Sequence, residues 1–419
     1  MKKKILFSTL FLVAASACVS IWWYFQTAKY LPSSLPQVPE VSTTAESKPT
    51  FRPVSFNELP GWHHAQLRKS LQAFQISCQT FIKQDPEQVA GTDSLELRAK
   101  DWQPVCHAAL KIKPVNAKNA REFFLNWFQP VEFHDKEAGP GLFTGYYVPA
   151  IKGSTKRTAE FKIPLYETPD DLITSDLGMF FNDLKSRRIV GRLEKRKLVP
   201  YYTRAQINKG VLKDKAKVVA WINSPIDRLF LEIQGSGVIE MDQGKTLSVG
   251  YDAQNGWPYT AIAGVLIKQG IMTKDNASMQ AIKRYLTEHP EQMNKVINKN
   301  KSFVFFRKMQ QGIALGSQGV PLTPGYSMAV DRQWIPMGTP LWLNTTRPDS
   351  KDPDVNKPMH RLMIAQDTGG AIRGKVRGDV FWGGGEHATL IAGHMKNPGK
   401  YWLLLPKHVT NQLNSIAKN

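Results

Sequence analysis

Cysteine is scarce in this chain, with three in 419 residues, at 18, 78 and 106. That is too few for a disulfide scaffold, and no C-x-x-C pair exists to start a zinc finger or ribbon. The metalloprotease spacing H-E-x-x-H is also missing. Glu386, His387 and His394 cluster loosely, but the histidines are seven apart and no partner pattern completes them, so no metal site is assigned. A P-loop is absent, and so is any nucleic-acid-binding motif. Ser236 is not a hydrolase nucleophile, because Gln234 and Val238 stand where the G-x-S-x-G frame needs glycine. No internal repeat is found. Acid is short against base: 35 Asp and Glu face 55 Lys and Arg, a net charge of +20. Such a surface suits an acidic polymer, anionic lipid or carboxylate-bearing glycan, and charge alone does not choose among them.

Length and a hydrophobic content of 42% are enough for two cored domains. Lys2, Lys3 and Lys4 precede an uncharged run from 5 to 25. Two readings fit it. Ala15-Ser16-Ala17-Cys18 resembles a bacterial lipobox, with Cys18 lipidated after cleavage, although Ala15 replaces the usual leucine. Alternatively the run is an uncleaved membrane anchor, being long enough to span a bilayer. Both tether the protein outside the cytoplasm. Residues 31–50 are rich in Pro, Ser and Thr and read as a linker with a coil-like reach of about 25 Å. If Cys18 carries lipid, Cys78 and Cys106 remain, either as a disulfide or as two buried thiols.

The chemistry concentrates between 363 and 385, MIAQDTGGAIRGKVRGDVFWGGG. An apolar lead-in (Leu362–Ala365) reads as a buried strand delivering Asp367 to a turn at Gly369-Gly370, where positive φ or close backbone approach is expected. Val380-Phe381-Trp382 is a second apolar run with Asp379 at its mouth. A carboxyl beside Phe381 and Trp382 should be poorly hydrated and have its pKa raised, as a general acid in sugar chemistry requires. By itself an aspartate before glycines is ordinary turn chemistry.

Along the chain, helical periodicity predicts a helix over 64–82 and another over 121–128. Residues 141–149 read as a strand with a glycine inside. Short strands are expected at 161–166, 198–202 and 217–222, with a helix around 170–184. Residues 229–237 read as a strand entering a small-residue turn, and 249–259 as a turn-rich loop. Helices follow at 260–268 and 278–288, then a strand at 302–307. Residues 325–344 read strand, turn, strand, with Asp331 at the bend. Short strands joined by Gly/Pro turns favour a small barrel over a parallel sheet in the C-terminal half.

The strings FTGYYVP (143–149), LEIQGSG (231–237), VGYDAQNGWPY (249–259), VFFR (304–307), GVPLTPGYSMAVDRQWIPMGTPLWL (319–343) and the 363–385 stretch occur in this order. Together they resemble the membrane-bound lytic murein transglycosylase A family, from about 139 to 406. The family's acidic residue in the first string is Val148 here.

The resemblance implies a mainly β fold with some helices. A double-psi β-barrel domain (51–150 and 300–419) would carry an inserted β-rich domain (151–299), with a glycan groove between them. It implies cleavage of the β-1,4 bond between N-acetylmuramic acid and N-acetylglucosamine without hydrolysis, leaving a 1,6-anhydro ring. One carboxyl suffices and no cofactor or metal is needed. By motif position Asp379 is the acid/base, and Asp367 orients the site or contacts substrate. Thr144, Gly145 and Tyr147 in one wall, with Gln234 and Ser236 in the other, are the expected glycan contacts. The partners implied are peptidoglycan strands and a membrane, with other cell-wall enzymes as further candidates and no nucleic acid. The implied location is the outer membrane facing the periplasm, with the inner membrane as the alternative. A hydrolase of the same bond, with Asp367 as second carboxylate, and a non-catalytic wall-binding module are the competing classes.

Overall fold

The computed structural model describes residues 50–134, 141–184, 187–241, 244–274, 276–310 and 312–410. Cys18, the apolar run behind it and the linker lie outside them. Among the described residues no helix is long and apolar enough to cross a membrane.

The chain begins with strand β1 (Thr50–Pro53) and three helices, α1 (Arg68–Phe81), α2 (Ala99–Lys111) and α3 (Ala117–Trp127). Leu71, Phe74, Cys78 and Phe81 recur at three- and four-residue spacing, and all are buried, as an amphipathic helix requires. Cys78 and Cys106 are joined in a disulfide between α1 and α2, with Cα atoms 5.0 Å apart. That settles the pairing the sequence left open. Strands β2 (Phe128–His134) and β3 (Gly141–Val148) follow.

The middle of the chain forms two further sheets. Its elements are β4 (Ala150–Ser154), β5 (Ile163–Tyr166), β6 (Ile173–Asp176), β7 (Arg188–Glu194), β8 (Lys197–Pro200), α4 (Arg204–Asn208), β9 (Val218–Ile222), α5 (Pro225–Gln234), β10 (Ser236–Glu240), β11 (Thr246–Gln254), α6 (Ile262–Lys268), α7 (Met279–Glu288), α8 (Pro290–Ile297) and β12 (Val304–Lys308). A six-stranded sheet runs β12-β11-β10-β4-β9-β5, and a separate one runs β6-β7-β8.

Three local expectations are corrected here. Residues 229–234 are not a strand but the end of α5. Ser224 Oγ accepts from Asp227 N–H (3.1 Å), Pro225 opens the first turn, and Gly235 ends the helix at φ +79°. A short apolar run is ambiguous by period alone, and the capping residues decide it. Residues 249–254 continue β11 rather than forming a loop, because they pair with β12 across a bulge between Tyr251 and Ala253. Around 170–184 there is a strand with two short 3-10 turns instead of a helix. Asp176 caps the Gly178 N–H there (2.9 Å). Strand β12 also pairs into the six-stranded sheet, so the chain leaves that sheet after Lys308 rather than at Asn300.

The last elements return to β1–β3: β13 (Ser327–Val330), β14 (Pro340–Pro348), β15 (Asn356–Asp367), β16 (Arg377–Gly384), α9 (Glu386–His394) and β17 (Lys396–Pro406). Strands β17-β14-β15-β13-β16-β3 pair in that order, and β3 pairs back onto β17, closing a six-stranded ring with no free edge. The β13/β15 and β16/β3 pairs are parallel and the other ring pairs antiparallel. The fold is therefore mixed, with more strand than helix, as the sequence implied. Phe143, Met328, Val330, Leu341, Met363 and Val380 belong to one core shared with α1–α3. A buried polar strut ties that core to the end of β15. Gln366 donates through Nε2 to Ala73 O (3.0 Å) and Ser77 Oγ (2.9 Å), and its Oε1 accepts from Ser327 Oγ (2.5 Å). A satisfied network of this kind makes one register strongly preferred. It holds the residue immediately before Asp367.

Candidate functional site

Side chains alternate faces along a strand. Met328 and Val330 point into the ring core, so Ala329 points outward. Ala329 pairs with Asp367 on one side and Asp379 on the other, and Asp379 pairs with Thr144. Asp367, Ala329, Asp379 and Thr144 thus form a row across four strands on the outer face. With neighbouring strands about 4.8 Å apart, the two aspartates stand roughly 10 Å apart at the backbone. Two residues along each strand, Tyr146 and Phe381 join Ala329, Ile372 and partly buried Val148 and Leu322 in a small apolar cluster. The carboxylates border this patch, open to water on one side and surrounded by protein on the others.

Their environments differ. Asp367 is pinned by three donors: Tyr146 Oη–H to Oδ2 (2.8 Å), Ser317 N–H to Oδ1 (2.9 Å) and Thr368 N–H to Oδ1 (2.8 Å). Burial raises its pKa above the usual carboxylate range, and these bonds oppose the shift without cancelling it. Among the described residues Asp379 accepts one hydrogen bond, from Thr144 Oγ1 to Oδ1 (2.6 Å). Thr144 Oγ1 in turn accepts from Arg377 Nη2 (2.8 Å). Burial is the main cause that raises the Asp379 carboxyl above the usual range. The Arg377 charge and the Thr144 bond oppose it, and the Asp367 charge adds to it. Among the described residues Asp379 thus keeps one oxygen without a donor, while Asp367 accepts from three.

The indole of Trp382 does not flank Asp379. The pleat puts Trp382 on the opposite face, where a Cβ on Gly145 would lie 2.7 Å from its Nε1 and 2.9 Å from Ala392 Cα. Phe381 and Tyr146 supply the apolar side of the carboxyl instead. Gly145 is thus needed for close approach of Trp382 and α9. Tyr147 is buried against Ala388 and Ala392 of α9, and its N–H donates to Gln234 Oε1 (2.8 Å). Gln234 therefore links β3 to α5. Ser236 opens β10 opposite Gly250 and is half-buried. Of the expected contact residues, only Thr144 touches a carboxylate. Gly369 and Gly370 do not take positive φ. In the connection between the aspartates that role falls to Gly374 (φ +121°), whose N–H donates to buried Asp331 Oδ2 (2.8 Å). Asp331 thereby anchors the loop between them, and Thr368 Oγ1 adds a bond to Val330 O (2.8 Å).

The sequence reading missed Tyr146, Arg377 and Ser317, and it placed Asp331 at a bend without a role. Arg377 was findable, since positions 377, 379 and 381 share one face of a strand. Ser317 was not, because a backbone N–H leaves no trace in residue type. Among the described residues no group of three or more His, Cys, Asp or Glu could hold a metal ion. Glu386 and His387 are exposed at the start of α9, and His394 at its end donates through Nδ1 to Leu390 O (2.8 Å).

Comparison with known proteins maps onto this architecture. Residues 142–307, from β3 to β12, match the MltA specific insert domain, and 326–405, the strands β13–β17, match the 3D domain. A membrane-bound lytic murein transglycosylase A homolog of Buchnera aphidicola is 35% identical over 62% of this chain, which spans 65% of that protein. Membrane-bound lytic murein transglycosylase A of Escherichia coli K12 is 33% identical over 69% of this chain and 72% of its own length. The crystal structure of MltA from Neisseria gonorrhoeae superposes with a TM-score of 0.71 at 32% identity, covering 86% of this chain and 93% of that one. E. coli MltA with bound chitohexaose gives a TM-score of 0.60 at 26% identity, covering 86% and 95%. Matched domains, fold and sequence identity agree, and the chain belongs to the membrane-bound lytic murein transglycosylase A family.

Proposed function

We propose that this protein is a lytic transglycosylase of peptidoglycan, with Asp379 as its single acid/base. The observation that carries the reading is the outer-face row in which a raised carboxyl, Asp379, is oriented by Thr144 and Arg377 beside a fully bonded Asp367. The family's name supports murein as substrate, and the chitohexaose complex of a relative supports a β-1,4-linked amino-sugar ligand. The bond cleaved joins N-acetylmuramic acid to N-acetylglucosamine. Asp379 gives its proton to the glycosidic oxygen as the C1–O bond breaks, so the bonding pair leaves with the 4-hydroxyl of N-acetylglucosamine. The C6 hydroxyl oxygen of the muramic acid residue then bonds to C1. Its proton passes to the Asp379 carboxylate, restoring the acid and closing the 1,6-anhydro ring. No water is consumed. An internal nucleophile has a high effective molarity, so a second carboxylate, needed by ordinary glycosidases, has no step to perform. Asp367 holds Tyr146 and the loop after β15 in place.

The proposed domain division is a double-psi barrel, 51–150 with the segment after 308, and an insert over 151–308. Thr144 contacts substrate directly. Gly145 and Tyr147 shape one wall through packing, Gln234 braces it through its Oε1 bond from Tyr147 N–H, and Ser236 lines the other wall. Cys18 is proposed as the lipid-bearing residue of an outer-membrane protein facing the periplasm, and Cys18→Ser should abolish acyl labelling.

Mass spectrometry of products released from purified sacculi tests the reading. Anhydro-muropeptides, one water lighter than hydrolysis products, are expected. Reducing-end muropeptides alone would establish a hydrolase, and no release would establish a binding module.

A further inference from the structure

Six of the fourteen large apolar side chains exposed among the described residues lie between positions 179 and 198: Met179, Phe180, Phe181, Ile189, Leu193 and Leu198. Met179 is 82% exposed, Phe180 69% and Leu193 65%. They are not scattered. Register pairs Leu193 with Leu198 and Ser175 with Ile189, so the three aliphatic residues share one face of the β6-β7-β8 sheet. The other face is covered: Val190 packs against Gly256, and the Arg192 guanidinium lies over the Tyr202 ring at 4.3 Å. The sheet is docked by one side and bare on the other. The bare side carries an apolar strip about 13 Å long from Ile189 to Leu193 by the rise of β7, and Met179, Phe180 and Phe181 lie in the connection after β6, where Leu177 N–H donates to Arg187 O.

Cations border the strip at both ends of β7: Arg187 and Arg188 at its start, and Lys195, Arg196 and Lys197 in and after the turn to β8, are exposed, against exposed Asp176 and Glu194 in the same sheet. The two-residue turn between β7 and β8 has φ of +45° at Lys195 and +64° at Arg196. Asn-Gly is the usual choice for such a turn. Here two cations occupy it, at a conformational cost.

We propose that this face is a membrane-docking surface for anionic lipid, separate from the N-terminal tether and from the glycan site. Apolar side chains bordered by Lys and Arg are what an interfacial element presents to acyl chains and anionic headgroups. A second copy of the chain fits poorly, since pairing like faces would bring the two cationic rims together. Glycan fits poorly too, because Ile, Leu and Met offer no hydrogen bonds to sugar hydroxyls.

The test uses the full chain with p-benzoylphenylalanine replacing Phe180, and in a control replacing exposed Ile271, irradiated on vesicles. Position 180 should yield lipid adducts with phosphatidylcholine vesicles containing phosphatidylglycerol, about tenfold above position 271. Adducts should fall by a similar factor on pure phosphatidylcholine or in high salt. The double change Lys195→Asn and Arg196→Gly keeps the turn favourable and should lower the yield severalfold, with muropeptide release from sacculi in solution unchanged. Equal lipid adducts at both positions, or equal yields on neutral and anionic vesicles, would overturn the proposal. So would a cross-link between two protein chains at position 180.

Discussion

Two regions bury charge, and they do so in opposite ways. In the insert, Glu232 receives both Nη atoms of Arg204, and Arg228 approaches it at 3.7 Å. Arg204 also donates to Asn300 O and Ser302 O, and the Phe303 ring lies 5.4 Å from its guanidinium. Burial lowers Arg228 to about 10, with Glu232 opposing the shift. Among the described residues Arg204 makes four hydrogen bonds, and both oxygens of Glu232 accept from it. On the barrel face, Asp379 has one neutral donor, and a cation one hydroxyl removed. The first arrangement joins α4, α5 and the chain before β12. The second leaves a carboxyl with an unmet preference for its proton. Compensated buried charge serves architecture, and uncompensated buried charge is available for chemistry.

Substitutions can break this contrast from both ends. The largest effect is expected at Asp379→Asn, where turnover in muropeptide release should fall by about 10²–10⁴-fold with the folded state kept. Retention of a tenth or more of wild-type turnover would remove Asp379 from the acid/base role. Next is Glu232→Gln, which leaves two buried guanidinium groups short of their counter-charge. Denaturant unfolding should show a loss of about 3–5 kcal/mol, with turnover per folded molecule little changed. Asp367→Asn should cost about tenfold in turnover, below the acid/base range, because Tyr146 and Ser317 lose part of their acceptor. A larger loss there than at Asp379 would exchange the two roles.

Smaller effects sharpen the contrast through pH. Arg377 holds the Asp379 pKa down, so Arg377→Gln should raise it further. The alkaline limb of the pH–rate profile should then move to higher pH, and an acid shift would contradict the proposed pairing. The smallest effect concerns stability. A carboxyl with a raised folded pKa favours folding in its protonated form, and that benefit is lost as pH rises through the folded value. Asp379→Asn should therefore be more stable than wild type at neutral pH. The difference should vanish below the ordinary aspartate range, where the wild-type carboxyl is protonated in both states. Thermal unfolding across pH reads this directly, and a difference independent of pH would show that desolvation is not its cause.

The two aspartates, their glycine-rich surroundings and the order of the family strings were legible because they are matters of residue type and local spacing. So were α1, whose apolar period is sustained over four turns, β3, whose run lies between Gly141 and Pro149, and the end of β15, whose apolar run 362–365 leads into Asp367. Helix α5 was missed because Leu229-Phe230-Leu231 reads equally well in either period. The signal lay in Ser224-Pro225 and Gly235 at its ends. The fate of Cys78 and Cys106 stayed open, since only the crossing of α1 and α2 brings two core-facing sulfurs together.

By itself the sequence determined which residues are candidates for the chemistry, that the chain forms more strand than helix, and that its net charge is strongly positive. These follow from side-chain type, from local period and from composition. Tertiary structure alone decided which face each aspartate occupies. Ring closure sets β13 between β15 and β16, so Asp367 and Asp379 flank Ala329, and the pleat sends Trp382 to the far side with Gly145 and α9. It also decided that Tyr146, Ser317 and Thr368 all donate to one carboxylate while, among the described residues, Thr144 alone donates to the other. Except for adjacent Thr368, those partners come from strands and loops far apart in the chain, and pairing across a closed barrel is set by non-local register that no local pattern encodes.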